Sequence, residues 1–109
     1  MTDVSQKKCV ACEGTETPFN TTEAKVLLKQ VSGWKLSDDE TKISKQFKFK
    51  NFKQALAFVN AVGAIAEAEG HHPDIAFGWG KVDIELMTHA IKGLSENDFI
   101  IAAKIDKIQ

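Results

Sequence analysis

Two stretches in which apolar and polar residues alternate, each broken by a turn, constrain the fold of this chain most strongly. The first runs from Trp34 to Phe49 and is interrupted by the acidic segment 37–40. The second runs from Ile75 to Leu86 and is interrupted at Gly80. Alternation with a period of two is typical of strands that bury one face. The sequence therefore predicts two β-hairpins.

Helical patterns flank and separate these hairpins. A segment from Thr21 combines a capping hydroxyl with apolar residues and stops at Gly33, and a longer one runs from Asn51 to Gly70 with apolar residues at spacings of three and four. A third helix is expected to begin at Ser95. The predicted order is α-β-β-α-β-β-α. This order indicates an α+β single domain in which helices pack on one face of a four-stranded antiparallel sheet.

Length and charge narrow the class of protein. The chain has 109 residues, the size of one domain, and its 14 basic against 15 acidic residues give a net charge of -1. This balance lacks the basic surface of a nucleic-acid binder. No apolar run is long enough to span a bilayer and no signal-peptide core begins the chain, so we expect a cytoplasmic protein with no membrane or direct nucleic-acid partner.

The N-terminal segment differs from the rest in composition. Residues 1–20 are polar, so we expect a flexible arm with no core residue other than Phe19, followed by a folded domain over residues 21–109. Cys9 and Cys12 lie in this arm and are too few for a disulfide framework. Their spacing is half of a zinc-ribbon pattern, but the chain has no second cysteine pair. Two reduced thiols of undecided purpose are the simpler interpretation.

All three histidines fall between residues 71 and 89. Histidine exchanges protons near neutrality, so His71, His72 and His89 suggest acid–base chemistry, although each could instead be a surface or core residue. Adjacent residues of an extended segment point to opposite faces, so His71 and His72 are not expected to serve the same function. One of them could position the other.

Acidic and aromatic residues near the histidines have both a functional and a structural interpretation. Glu67 lies four residues before His71, which on a helix would place its carboxylate beneath that imidazole, to orient the ring or stabilise its protonated form. The alternative is an ordinary solvated charge on the helix surface. Asp98 is the fourth residue of a capping pattern that begins at Ser95, so its main role is expected to be starting the last helix. Trp34 is either a core residue or a platform for a flat heterocyclic ligand, and the same holds for Trp79.

Other chemistries have less support. Three imidazoles and a carboxylate could hold zinc, but adjacent histidines converge poorly and no His-x-x-x-His pair is present, so we expect no metal. The chain also lacks the glycine-rich motifs of dinucleotide and phosphate binding and the GxSxG nucleophile motif.

The acidic, aromatic and histidine residues above, taken with the spacings between them, form a pattern that rarely arises by chance. They resemble the signature of the pterin-4a-carbinolamine dehydratase family: Glu67, three residues, His71-His72-Pro73, five residues, Trp79, nine residues, His89, eight residues, Asp98. Gly33-Trp34 and the segments 47–53 and 92–98 also look like blocks of this family. The resemblance covers about residues 21–105, and the arm with Cys9 and Cys12 is similar to bacterial members.

The resemblance implies a hydro-lyase that uses no metal or organic cofactor. Such an enzyme removes water from 4a-hydroxytetrahydropterin to give quinonoid dihydropterin, which supports tetrahydrobiopterin recycling for aromatic amino-acid hydroxylation. Carried over by position, His71 and His89 would be the main acid–base residues, which of them is acid and which is base staying open. His72 would bind the pterin and assist. The remaining substrate-binding positions would be Glu67, Trp34, Asp98 and Pro73.

The resemblance also implies partners. Family members form homodimers or homotetramers, and this chain would have a functional link to an aromatic amino-acid hydroxylase. An alternative is a non-enzymatic module for dimerisation or regulatory binding on the same fold, because animal relatives act as dimerisation partners of a transcription factor. All three histidines are present, which favours the enzyme over binding alone.

The position of His89 raises one structural question. Counted in alternation from Val82, His89 falls in phase with Asp83 and Glu85 on the polar side of the strand. Either the strand ends before His89, or the site opens on the sheet face away from the helices. We expect the strand to end first, so that the Thr88-His89 turn swings the ring toward His71.

Overall fold

The computed structural model describes residues 21–108. Three helices and four strands follow one another in the predicted order, with a 3₁₀ turn between the last strand and the last helix. The arm with Phe19, Cys9 and Cys12 lies outside the described residues. The elements are α1 (Thr21–Leu28), β1 (Lys35–Leu36), β2 (Ile43–Lys48), α2 (Phe52–Glu69), β3 (Asp74–Gly78), β4 (Lys81–Leu86), the 3₁₀ turn (His89–Ile91) and α3 (Glu96–Asp106).

The two hairpins join into one antiparallel sheet with the strand order β1-β2-β4-β3. Strands β2 and β4 form its centre, with Ile43 opposite Leu86 and Phe47 opposite Val82. Because β3 pairs only with β4 within the described sheet, it forms one edge. The prediction of a four-stranded antiparallel sheet is confirmed.

The two faces of the sheet differ sharply in polarity. On one face the central strands bury apolar side chains against the helices, and on the other face they carry polar ones such as Ser44, Gln46 and Asp83. A strand places successive side chains on opposite faces, so this division follows directly from the alternation in the sequence. The side chains buried beneath the helices are Ile43, Phe47, Val82, Ile84 and Leu86.

Helix α2 begins and ends at capped residues. The Asn51 side chain accepts a hydrogen bond from the Gln54 amide at 2.9 Å, which satisfies one free donor of the first turn. The helix ends at Gly70, which has a left-handed conformation with φ 66°, and the amides of Gly70 and His71 both donate to the Ala66 carbonyl. This reversal sets the direction in which His71 and His72 leave the helix.

Helix α3 is buried on every side. Each residue from Asn97 to Ala103 is buried, and so is Ile105. Among its carboxylates, Asp98 in the first turn is buried and Asp106 at the end is half-buried. Within residues 21–108, no helix is both long enough and apolar enough to cross a membrane.

Candidate functional site

His71 and Asp98 form the best-defined contact of the site. Nε2 of His71 lies 2.7 Å from Oδ1 of Asp98, although the residues are 27 positions apart in the chain. The Asp98 side chain is fully buried and the His71 side chain is 12% exposed. The His71 side chain is therefore largely buried and keeps a small exposed fraction, whereas its carboxylate partner has none.

Asp98 is held by two further hydrogen bonds. Its Oδ2 accepts the Thr88 hydroxyl at 2.8 Å and the Ser95 amide at 3.0 Å. The second bond is the Asp98 half of the capping box that starts α3, so the predicted capping role is confirmed. The carboxylate also serves His71, which the capping pattern did not show. Buried carboxylates need several donors, and Asp98 has three.

His72 pairs with Glu67 at the surface. Nε2 of His72 lies 2.5 Å from Oε2 of Glu67, and the two side chains are 59% and 78% exposed. The expectation that Glu67 serves His71 is therefore wrong. The helical spacing between Glu67 and His71 ends at the left-handed Gly70, which turns the chain so that His72, not His71, comes to Glu67. The two adjacent histidines have different carboxylate partners, and that they serve different functions stays a prediction.

His89 lies in the 3₁₀ turn after β4. The strand ends at Leu86, so the prediction that it stops before His89 is confirmed. Nε2 of His89 lies 3.9 Å from Oδ2 of Asp74 at the start of β3, and both side chains are 69% exposed. Asp74 directly follows Pro73, so this contact brings His89 beside the segment that carries His71 and His72.

Each histidine thus has a carboxylate of its own. Burial decreases from the His71–Asp98 pair to the His72–Glu67 and His89–Asp74 pairs. Sequence reasoning missed Asp74 and Thr88. Asp74 could have been noticed as an acid directly after the His-His-Pro segment. Thr88 precedes His89, but nothing in its position reveals that its hydroxyl reaches Asp98.

The remaining predicted site residues lie in different surroundings. Pro73 is half-buried and connects the histidine pair to β3. Trp34 is 5% exposed, packs edge-on against Phe47, and donates its indole N–H to Asp106 at 3.0 Å. Asp98 and Asp106 are about 12 Å apart along the axis of α3, so Trp34 contacts the end of this helix opposite to the one that contacts His71. Trp79 is exposed in the turn between β3 and β4.

A surface depression of about 570 Å³ lies on the open face of the sheet, away from the helices. Its lining mixes acidic and basic side chains, among them Lys35, Asp83 and Glu85, and includes Asp74, the partner of His89. Within residues 21–108, no group of three or more His, Cys, Asp or Glu residues is arranged to hold a metal ion.

Comparisons with known proteins extend this description. The family model described as pterin 4 alpha carbinolamine dehydratase matches residues 17–108. A protein from Methylococcus capsulatus is 49% identical over 105 residues, covering 96% of this chain and 92% of its own length. One from Rubrobacter xylanophilus is 45% identical over 108 residues, covering 99% of this chain and all of its own. Both are provisionally named pterin-4-alpha-carbinolamine dehydratase.

Solved structures agree with the fold. A protein from Brucella melitensis, described as a transcriptional coactivator/pterin dehydratase, superposes with a TM-score of 0.80 at 32% identity, covering 84% of this chain and 98% of its own. A pterin dehydratase-like protein, described as a RuBisCO assembly factor in the alpha-carboxysome, gives a TM-score of 0.61 at 30% identity, covering 70% of this chain and 88% of its own. The chain belongs to the pterin-4-alpha-carbinolamine dehydratase family.

Proposed function

We propose that this protein dehydrates 4a-hydroxytetrahydropterin by histidine acid–base catalysis. The reaction breaks the C–O bond at the carbinol carbon and removes the proton of the neighbouring ring nitrogen. A carbon–nitrogen double bond forms, and the hydroxyl leaves as water after it is protonated. One base and one acid are sufficient, and imidazoles serve both roles near neutral pH.

The observation that carries this proposal is the pairing of His71 with the buried Asp98. Ionised carboxylates only accept hydrogen bonds, so Nε2 of His71 carries the proton that faces Asp98. In a neutral imidazole the other nitrogen, Nδ1, then has the free lone pair. We therefore assign the base to His71, with Nδ1 as the atom that takes the proton from the pterin.

We then assign the acid, which protonates the leaving hydroxyl, to His89, whose ring is exposed and lies beside Asp74. His72 would bind the pterin from the surface pair that it forms with Glu67. Pro73 would hold the chain between these groups extended. Trp34 would act indirectly, through the packing at the end of α3, because its indole is buried against Asp106.

The test is the dehydration rate of chemically generated 4a-hydroxytetrahydropterin, followed by absorbance with and without the protein, in the presence of a chelator. We expect acceleration that the chelator leaves unchanged and that disappears in the His71→Ala/His89→Ala double variant. Positioned acids and bases contribute about 10²–10⁴-fold each. A folded wild-type protein that leaves the rate at its uncatalysed value would contradict the proposal.

Single variants separate the three roles. His71→Ala and His89→Ala should each lower kcat strongly, with circular dichroism unchanged. His72→Ala should mainly raise KM, because the His72–Glu67 pair is exposed and would act in binding. Equal and small effects from all three substitutions would refute the assignment.

We also place this activity in tetrahydrobiopterin recycling, with an aromatic amino-acid hydroxylase as the source of the carbinolamine. The chemistry supports this order, because a dehydratase of this kind needs an enzyme that leaves a 4a-hydroxylated pterin. A reconstituted hydroxylase reaction should accumulate less carbinolamine when this protein is added. The His71→Ala/His89→Ala variant provides the control.

A homodimer or homotetramer is proposed from the exposed side of the second hairpin. Strand β3 forms a sheet edge, and Phe77 on it stacks against Phe52 of α2 with ring centroids 5.4 Å apart. Both rings are exposed, as is Trp79 at the hairpin turn. Exposed edges and apolar clusters of this kind favour self-association. Light scattering of the wild type against Phe77→Thr should show a larger wild-type mass, and equal masses would contradict this interface.

A binding or regulatory module is the second candidate function. It is favoured by the same exposed aromatic cluster and by the two solved relatives, which are described as a coactivator/dehydratase and an assembly factor. This role predicts a folded protein without dehydratase activity. Full activity in Phe77→Thr and loss of activity in the histidine double variant would favour the enzyme.

A further inference from the structure

Thr88 connects the surroundings of His71 and His89, the two histidines assigned to catalysis. Its side chain is buried, with the residue 2% exposed, and its hydroxyl donates to Asp98 Oδ2 at 2.8 Å. Its backbone forms an isolated bridge with Gly93, in which the Thr88 amide donates to the Gly93 carbonyl at 2.9 Å. This bridge closes the loop that carries His89. The same residue therefore contacts the partner of His71 and anchors the turn of His89.

The direction of each hydroxyl hydrogen bond can be assigned. A carboxylate accepts only, so the single hydroxyl proton of Thr88 points to Asp98. The Ser95 hydroxyl lies 2.8 Å from the Thr88 oxygen and must then be the donor in that contact. The resulting chain runs from Ser95 through Thr88 to Asp98. Its end, Oδ1 of Asp98, accepts from His71.

We propose that Thr88 is a positioning residue that fixes the tautomer of His71 through Asp98. Thr88 and the Ser95 amide occupy Oδ2, so the carboxylate is oriented with Oδ1 toward the imidazole. Oδ1 holds the proton of His71 on Nε2 and leaves Nδ1 as the proton acceptor. This proposal rests on the proposed dehydratase function, because a fixed tautomer matters only if His71 exchanges a proton with substrate.

Substitution of Thr88 by valine tests the proposal, because valine keeps the shape and removes the hydroxyl. We expect kcat to fall about tenfold, equivalent to about 1.4 kcal/mol in the activation barrier, with KM little changed. Thr88→Ser keeps the donor and should restore kcat to near the wild-type value. Ser95→Ala removes the second hydroxyl of the chain together with its capping bond to the first turn of α3, and should have a smaller effect on kcat in the same direction.

The tautomer itself is read by long-range ¹H–¹⁵N correlation spectra of histidine-labelled protein at mildly alkaline pH, where an ordinary imidazole is neutral. Wild-type His71 should give the pattern of a protonated Nε2, and Thr88→Val should give a pattern averaged over both tautomers. A purely structural role of Thr88 would lower stability and leave this pattern unchanged. That result, or an unchanged kcat in Thr88→Val, would overturn the proposal.

Thr41→Val is the matched control. The Thr41 hydroxyl also donates to a carboxylate, Asp39, at 2.7 Å, but in the exposed turn between β1 and β2. This variant should keep the His71 pattern and the wild-type kcat. Failure of the dehydratase proposal is distinguishable, because the wild type would then show no acceleration while the spectra still report whether Thr88 controls the tautomer.

Discussion

Each end of α3 carries a carboxylate with three hydrogen-bond partners, but the two carboxylates differ in burial and in the kind of partner. At the first turn, Asp98 accepts hydrogen bonds from His71, Thr88 and the Ser95 amide. This carboxylate is fully buried. Among its donors is an imidazole, which both gives and takes protons near neutral pH.

At the other end of the helix, Asp106 also accepts from three donors. The Trp34 indole donates to it at 3.0 Å, the Lys45 ammonium at 2.9 Å and the Ser32 amide at 3.2 Å. None of these donors is a base at neutral pH. The contacts fasten the end of α3 to β2 and to the segment before β1.

A carboxylate with several donors is therefore not by itself evidence of a functional site. Such a carboxylate orders whatever packs around it, because each donor satisfies part of its hydrogen-bonding requirement. The proposed reaction also needs a partner that exchanges a proton near neutral pH. His71 is such a partner, whereas Trp34 and Lys45 are not.

The largest effect on stability is expected from Asp106→Asn. The new amide N–H would face either the Lys45 ammonium or the Trp34 indole, both of which are donors, and the ion pair with Lys45 would be lost. We expect the free energy of unfolding to fall by roughly 2–3 kcal/mol, since partners of a largely buried pair are left unsatisfied. Urea denaturation measures this, and kcat of the folded protein should be retained.

An exposed ion pair provides the control for Asp106→Asn. Lys42 lies 3.5 Å from Glu85, with both side chains substantially exposed. Lys42→Ala should cost less than about 1 kcal/mol. If both variants lowered the free energy of unfolding equally, the contacts of Asp106 would not be what holds the end of α3 in place.

A smaller effect is expected from Trp34→Phe. Phenylalanine keeps most of the packing against Phe47 and removes the indole hydrogen bond to Asp106. We expect a loss of about 1 kcal/mol in unfolding free energy, the value of one hydrogen bond, with KM for the pterin unchanged. A raised KM with unchanged stability would instead place Trp34 in contact with the substrate, as the resemblance to the family implies.

The smallest effect concerns Asp39, a third carboxylate with several donors, but a fully exposed one. Hydrogen bonds from the Thr41 side chain, the Ser37 hydroxyl and the Thr41 backbone lower the pKa of Asp39 from 3.8 to about 2. Because the folded pKa lies below the unfolded one, its stabilising contribution is complete above about pH 4 and is lost as the pH falls toward 2. Asp39→Asn should flatten the pH dependence of stability in that window, measured by thermal unfolding at several pH values. An unchanged slope would contradict the contribution of Asp39.

The fold could be predicted from the sequence because its signals are local. Alternation in the two hairpins, the cap at Asn51 and the left-handed end at Gly70 each depend on neighbouring residues, and together they give the element order and the single layer of helices. Lys45 shows the limit of this reasoning. It lies on the helix-covered face, in phase with Ile43 and Phe47, because its ammonium reaches Asp106, which is 61 positions away.

The candidate site was predictable in its residue types and less so in its pairings. The sequence points to the three histidines, but it predicts the wrong partner for Glu67, because the helical spacing that relates Glu67 to His71 ends at the left-handed Gly70. The capping pattern predicts the role of Asp98 at the start of α3, yet the bond from Asp98 to His71 spans 27 positions and depends on how α3 packs. Long-range contacts of this kind arise from tertiary packing, which no local pattern encodes.

The most direct test of the role of Asp98 compares Asp98→Asn with Asp106→Asn, measuring both kcat for dehydration and the free energy of unfolding. In Asp98→Asn the amide would donate to Nε2 of His71 and move the ring proton to Nδ1, which removes the base. We expect a kcat lower by about 10²-fold or more for Asp98→Asn and an essentially unchanged kcat for Asp106→Asn. Equal loss of kcat in both variants, or full activity in Asp98→Asn, would contradict this role.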